Sequence, residues 1–372
     1  MRNLSQVFES KKNSLGFLRF LFAALVVFSH SFVLGGFGSE RIFKVFQGSY
    51  GELAVDCFFI ISGFLITRSY IRSVSISRFL WHRFLRIFPG FWVCLLITIL
   101  FFAPIVYLAT HGNLNNYFQS KIDNPINYIK VNFLLRMNQY GVAGLLNNIP
   151  FPSAFNGSLW TLIYEFKCYL AIGILGRLHI LKSARVFVIG IFIFLWGGYT
   201  LESLIPGTGA KFSNLLADKE GLRMMMYFFS GSVLFLYSKD IIFSTRIFIF
   251  SAVLTLISII CGIHQPIFAL LLGPSLSYVI FWLACELPFS HFDRYGDFSY
   301  GLYIYAFPIQ QILAFFKVNK YGFSVYFLLS LGLTTLLAIP SYRWIEKPSL
   351  NLRDFKISSL FNTKLIRPLT KL

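Results

Sequence analysis

The sequence predicts an all-α protein that crosses a membrane about ten times, and three observations carry that prediction. The 372 residues are 56% hydrophobic and 13% charged, with a mean hydropathy of +0.67. A soluble domain would carry roughly twice that charged fraction. Apolar runs of about 20 residues, the length needed to cross ~30 Å of hydrocarbon, recur along most of the chain. The charges gather in short clusters between those runs, the pattern of membrane topology. The formal net charge of +18 therefore does not predict a nucleic-acid partner, although basic patches do neutralise phosphates.

In chain order, the spans are expected near 15–34, 52–70, 86–108, 158–178, 185–204, 222–238, 245–262, 266–287, 298–316 and 323–344. The first run lacks a small-residue cleavage site and more spans follow it, so it reads as a retained helix. The one long connection, 109–157, is rich in Asn, Tyr, Pro and Gly, and a structureless loop of that size is uncommon unless it is functional. Lys/Arg bias sets the orientation. With the N-terminus inside, the inner segments hold 21 of the 33 Lys/Arg and the outer loops 10, with Arg19 and Lys167 inside spans. Both termini are thus expected in the cytoplasm and 109–157 outside. Residues 351–372 form a basic tail (Arg353, Lys356, Lys364, Arg367, Lys371), expected to lie against anionic headgroups of the membrane lipid. The five cysteines lie in or beside apolar runs and imply no disulfide framework. No Cys or His spacing suggests a metal.

Ionisable groups inside spans are costly and mark functional sites. Arg19 and His30 fall in the first span, Asp56 in the second and Glu165 in the fourth. With ~1.5 Å rise per residue, His30, Asp56 and Glu165 are expected at one level in the outer half, with Arg19 roughly 16 Å below His30. At the inner end Arg83 and Arg86 share a helical face at i,i+3, and a guanidinium fork suits phosphate. Arg68, Arg72 and Arg78 read as positive-inside anchors. Ser62 and Gly63 are expected to allow close helix packing. The combination is a pore with a phosphate-binding mouth inside and a His/carboxylate site near the outside. Coenzyme A fits, with its phosphates at the arginines and its arm reaching toward His30. There an imidazole can deprotonate an acceptor hydroxyl, with a carboxylate on its other nitrogen fixing the tautomer. A transporter or flippase of a lipid-linked glycan is the alternative built on similar residues, and a glycan polymerase is a third.

These residues resemble the acyltransferase-3 family of membrane O-acyltransferases, which decorate O-antigens, exopolysaccharides and related glycans. Arg19 and His30 reproduce its Arg-x10-His signature. The segment from Val55 through Gly63 to Ile66 is similar to its second-helix motif, with Cys57 where a larger apolar residue is usual. Arg83-Phe84-Leu85-Arg86-Ile87-Phe88-Pro89 is similar to its Arg-x-x-Arg motif. Ser158-Leu159-Trp160-Thr161-Leu162 followed by Glu165, Ser299-Tyr300-Gly301-Leu302-Tyr303 and Glu346-Lys347-Pro348 complete the order. The resemblance implies a bacterial inner-membrane enzyme with residues 1–350 as the acyltransferase domain. It implies an acyl-coenzyme A donor, usually acetyl, and a sugar hydroxyl of an extracytoplasmic glycan as acceptor. His30 would be catalytic, with Asp56 and Glu165 as candidate partners, and Arg19, Arg83 and Arg86 would contact the donor. One departure is Tyr305-Ala306-Phe307-Pro308, where many members carry a histidine just before the proline. A mechanism needing that second histidine is not expected here.

Overall fold

The computed structural model describes residues 2–9, 12–39, 48–73, 75–205 and 218–354. Among these the chain is all-helical, with no strand beyond an isolated bridge between Asn3 and Ile242. Lys356, Lys364, Arg367 and Lys371 of the basic tail lie outside the described residues. Ten long helices occupy the ten expected places: α1 (Leu15–Leu34), α2 (Tyr50–Ile71), α3 (Ile76–His111), α4 (Leu159–Arg177) and α5 (Val186–Leu204), then α6 (Lys219–Leu236), α7 (Thr245–Cys261), α8 (Pro266–Glu286), α9 (Ser299–Phe315) and α10 (Phe323–Asn351). Seven are long and apolar enough to cross a membrane. The other three are α6, which opens with Lys219, Glu220 and Arg223, and α7 and α9, each 17 residues.

Local chemistry sets the ends. Ser49 and Glu52 form a capping box at the start of α2, and the Ser75 hydroxyl accepts from the Arg78 amide at the start of α3. Both satisfy amides that the first helical turn leaves without partners. α3 runs on for 36 residues, through a π-turn at Thr98–Phe102, until Gly112 closes it in the left-handed region at φ 74°. α10 carries a second π-turn at Tyr342–Glu346, just ahead of Pro348.

Burial sorts the helices. Of the seven apolar helices, α2 is the most enclosed, with 61% of its apolar window inside the protein, whereas only 22% of the α5 and α10 windows is inside. The outward faces carry exposed Phe101, Phe187, Phe250, Leu328 and Leu336. Such a surface is stable against lipid and not against water. α2 packs on α6 so closely that a Cβ on Gly63 would sit 1.8 Å from the Phe228 carbonyl oxygen, and one on Gly231 2.0 Å from that of Ile60. This agrees with the packing role expected of Gly63, a small residue that lets backbones meet.

The connection 109–157 is folded. Its short helix Pro125–Asn132 is followed by a network in which the Gln139 side chain bonds Asn124, Asn127 and Gly141, while its backbone bonds Asn132. Gln311 of α9 donates to the carbonyls of Phe151 and Ala154, at 2.8 and 2.6 Å, which pins the far end of the segment to the bundle.

Candidate active site

Five helices enclose the chemistry. α1, α2, α3, α4 and α9 surround a cavity of about 150 Å³. Its lining holds Arg19, Arg83 and Arg86 together with Glu165, and Ser62, Thr161, Tyr169 and Tyr303 complete its polar wall. Arg19 of α1 and the Arg83/Arg86 pair of α3 thus share one chamber.

Their surroundings divide them into two kinds. Arg19 Nη1 lies 3.1 Å and Arg86 Nη2 2.5 Å from Asp297 Oδ2. Arg19 also reaches Asp293 at 3.7 Å, and Arg86 reaches the buried Glu346 at 3.6 Å. Gly16 makes room for the first contact, since a Cβ there would collide with the Asp293 carboxylate. Burial raises the Asp297 carboxyl, but Arg19 and Arg86 outweigh burial and bring it well below the usual carboxylate range. The Ser299 hydroxyl also donates to it, at 2.6 Å. Arg83 differs. Its guanidinium lies 5.9 Å from the centres of the Phe79 and Tyr169 rings, and among the described residues it has no carboxylate partner. Its Nε is buried with nothing to bond, as is that of Arg19. A buried orphan donor in a cavity is what an absent anion would leave.

The structure separates the three groups expected at one level. Glu165 faces the arginine chamber, where its Oε1 accepts from Tyr169 at 2.5 Å and Ser62 at 3.2 Å. Ser62 thus lines the site, in addition to any packing role. Asp56 is fully buried against α6, its Oδ2 2.7 Å from Arg223 Nη1, while Arg223 Nε also bonds Glu220 at 3.0 Å. His30 is half-buried and, among the described residues, hydrogen-bonds neither carboxylate; its Nδ1 is buried without a partner. Its ring stands edge-on to Phe307 at 5.6 Å, and Phe307 in turn meets Phe151 of the outer segment. The phenyl ring therefore fills the place beside His30 where the resemblance puts a second histidine.

The chamber approaches His30 without reaching it. Ser29 accepts from the Gly51 amide, which sets the level of His30 on α2, and the chamber wall ends at Val55, about 6 Å lower by helical rise. Thr161 and Tyr303 are hydrogen-bonded at that end, and Tyr303 donates to the Ser158 carbonyl at 2.8 Å. Next along the chain, Gly157 lies against Phe307, where a Cβ would come within 2.6 Å of the ring.

Asp297 and Arg223 were not singled out by the sequence. Asp297 sits in what reads as a solvated inner loop, and its only signal is adjacency to the Ser299-Tyr300-Gly301 motif. Arg223 falls at the start of a span and reads as an outer flank.

Comparison with known proteins identifies the family. The family described as an acyltransferase domain matches residues 12–343. A protein of Shigella phage Sf6 named "O-acetyl transferase" is 30% identical over 353 residues, covering 94% of this chain and 99% of its own. One of Rhizobium leguminosarum bv. viciae named "Nodulation protein 10" is 26% identical over 361 residues, covering 92% and 94%. No solved structure matches the chain. With that match across nearly its whole length and a bundle of apolar helices, the chain belongs to the acyltransferase-3 family and is a multi-pass membrane acyltransferase.

Proposed function

We propose that the protein is an O-acetyltransferase that moves an acetyl group from cytoplasmic acetyl-coenzyme A to a hydroxyl of an extracytoplasmic glycan, such as an O-antigen or exopolysaccharide. It spans the bacterial inner membrane ten times with both termini inside. The observation that carries the reading is Arg83, half-buried, with an unpartnered buried Nε and no carboxylate partner among the described residues, set in the same chamber as Glu165 and beneath His30. The name of the phage relative supports O-acetyl transfer.

In this reading Arg83 binds donor phosphate directly, while Asp297 holds Arg19 and Arg86 in place as the remaining positive wall. The thioester arm extends past Glu165 and Tyr169 toward Thr161 and Tyr303. The His30 imidazole takes the proton of the acceptor hydroxyl, whose oxygen attacks the thioester carbonyl. The acyl–sulfur bond breaks, an acyl–oxygen bond forms, and the thiolate leaves and recovers a proton. Glu165 polarises the chamber through Tyr169 and Ser62. Asp56 keeps α2 and α6 in register through Arg223, and so positions the helix that lines the chamber.

The test is turnover of labelled acetyl-coenzyme A by the purified protein in nanodiscs, offered a panel of bacterial glycans. Label transfer that is lost in His30→Ala, with normal insertion and melting, supports the assignment. Full activity of that variant removes His30 from the chemistry. Absence of both transfer and thioester binding in well-folded wild type removes the donor.

A further inference from the structure

A second cavity of about 450 Å³ opens at the ends of α2 and α6, near the short helix Ile180–Ser183 that follows α4. Five cations line it: Arg68, Arg72, Lys182, Arg185 and Lys239. No carboxylate is among its lining residues. Arg185 is already engaged, 2.7 Å from Asp240 Oδ2 and 3.2 Å from the Leu236 carbonyl, and its guanidinium lies over the Tyr237 ring. Arg72, Lys182 and Lys239 have no carboxylate partner among the described residues.

The other wall is apolar. Phe8, Phe64, Phe235 and Leu236 form it, with ring centres 5.1 Å apart between Phe8 and Phe64 and 5.2 Å between Phe64 and Phe235. The N-terminal segment builds this wall by docking on the turn after α6. Leu4 donates to the Ile241 carbonyl and Ser5 to that of Ser238, both at 3.0 Å, and Phe243 donates back to Arg2. Arg68 sits between the two chemistries, its guanidinium 5.2 Å from the centre of the Phe8 ring. The cavity is distinct from the arginine chamber, with which it shares no lining residue.

We propose that this cavity is a binding site for an anionic phospholipid. The phosphate headgroup is held by Arg72, Lys182 and Lys239, and the start of an acyl chain lies along Phe64, Phe235 and Leu236. Like-charged side chains gathered without counter-charges are stabilised by a bound anion. A basic pocket between membrane helices selects anionic headgroups, and the volume falls in the range of small-ligand pockets. A free phosphate compound would satisfy the cations equally but would leave the aromatic wall uncovered.

The experiment uses the full chain, purified, stripped of lipid and placed in phosphatidylcholine nanodiscs doped with spin-labelled phosphatidylglycerol. Native mass spectrometry gives the number of phosphatidylglycerol molecules retained. The expected result is one tightly held molecule per chain, with affinity falling about tenfold or more in Lys182→Gln/Lys239→Gln. Arg246→Gln, a charge loss outside the cavity, should leave it unchanged. A second variant, Phe235→Ser, keeps every cation and should weaken the lipid by removing apolar contact. Equal retention in the double-lysine variant, no preference over phosphatidylcholine, or displacement by low-millimolar inorganic phosphate would each overturn the lipid site. Melting curves of all variants identify any that fail to fold, and Arg72→Gln then takes the place of a failed one.

Discussion

At the scale of single residues, the chamber turns on which arginine is occupied. Arg86 is held by Asp297 and Glu346, and Arg83 by no carboxylate among the described residues. Removing Arg83 deletes a donor to the ligand at no cost in buried counter-charge. Arg83→Ala should therefore weaken coenzyme A binding by about 1.5–3 kcal/mol, the range of a hydrogen bond to a charged group, with the melting temperature nearly unchanged. Arg86→Ala leaves the buried Glu346 without its arginine and Asp297 with Arg19 alone, and should cost roughly 3–5 kcal/mol of stability. Calorimetric titration beside thermal melting separates the two, and equal melting losses would sink the distinction. Asp297 makes a pH prediction of definite sign. Its carboxyl is depressed in the folded protein, so its contribution is complete above the unfolded value of ~3.9 and is lost only as pH falls below it. The melting difference between wild type and Asp297→Asn should be constant from pH 5 to 8 and shrink toward pH 3. A difference that instead changed near pH 6 would mean another group controls the cluster. These residues also show where sequence reading ends. Arg19 and Glu165 were legible because charge in an apolar run is costly, and Arg83 and Arg86 because they share a helical face at the edge of a span. Asp297, the partner of Arg19 and Arg86, was not, because a carboxylate in a loop is ordinary until the fold brings it to Arg86 from 211 positions away.

At the scale of elements, the contact between α2 and α6 is the clearest case of position fixed by packing and charge together. Gly63 and Gly231 allow the backbones to meet, and Asp56–Arg223 closes the same interface near its other end. The glycine half was readable, since small residues in an apolar helix mark close approach. The charged half was read as chemistry, because nothing in the sequence chooses between a substrate and a partner 167 residues on. A mutant cycle decides it. Asp56→Ala strands the buried Arg223 and should cost roughly 3–5 kcal/mol, while Asp56→Leu/Arg223→Met should recover most of that loss. If the pair is structural, the double variant also keeps most of its turnover. Full stability with no turnover would instead place Asp56 in the reaction. The helix positions were legible to within a few residues, because hydropathy over some 20 residues averages out local error. The exceptions are α3, which begins ten residues ahead of its expected span, and α10, which runs seven past its own, because hydropathy does not see polar helical ends. Of the three helices below the apolar threshold, α6 and α9 are buried along most of their length and face less lipid, whereas α7 is short and keeps an exposed apolar face.

At the scale of the whole molecule, the proposed function separates its two substrates along the bundle. Arg19, Arg83 and Arg86 lie at one end of the chamber, and His30 lies beyond the other, covered by Phe307 and by the folded segment that the sequence showed only as a long polar connection. Gln311 ties that segment to α9 from within a buried position, through the carbonyls of Phe151 and Ala154. Gln311→Leu removes both bonds with little change in volume, and leaves the carbonyl of the buried Ala154 unsatisfied at about 1–3 kcal/mol. The segment should loosen over His30 while the arginine chamber, built from other contacts, stays intact. Kinetics then make the prediction sharp. Gln311→Leu should raise the KM for the glycan severalfold and leave that for the acyl donor within error, and Arg83→Ala should do the reverse. Steady-state turnover with each substrate varied in turn measures both. If Gln311→Leu shifted the donor KM as much as the acceptor KM, the segment would be acting through the bundle as a whole, and its assignment to acceptor binding would fail.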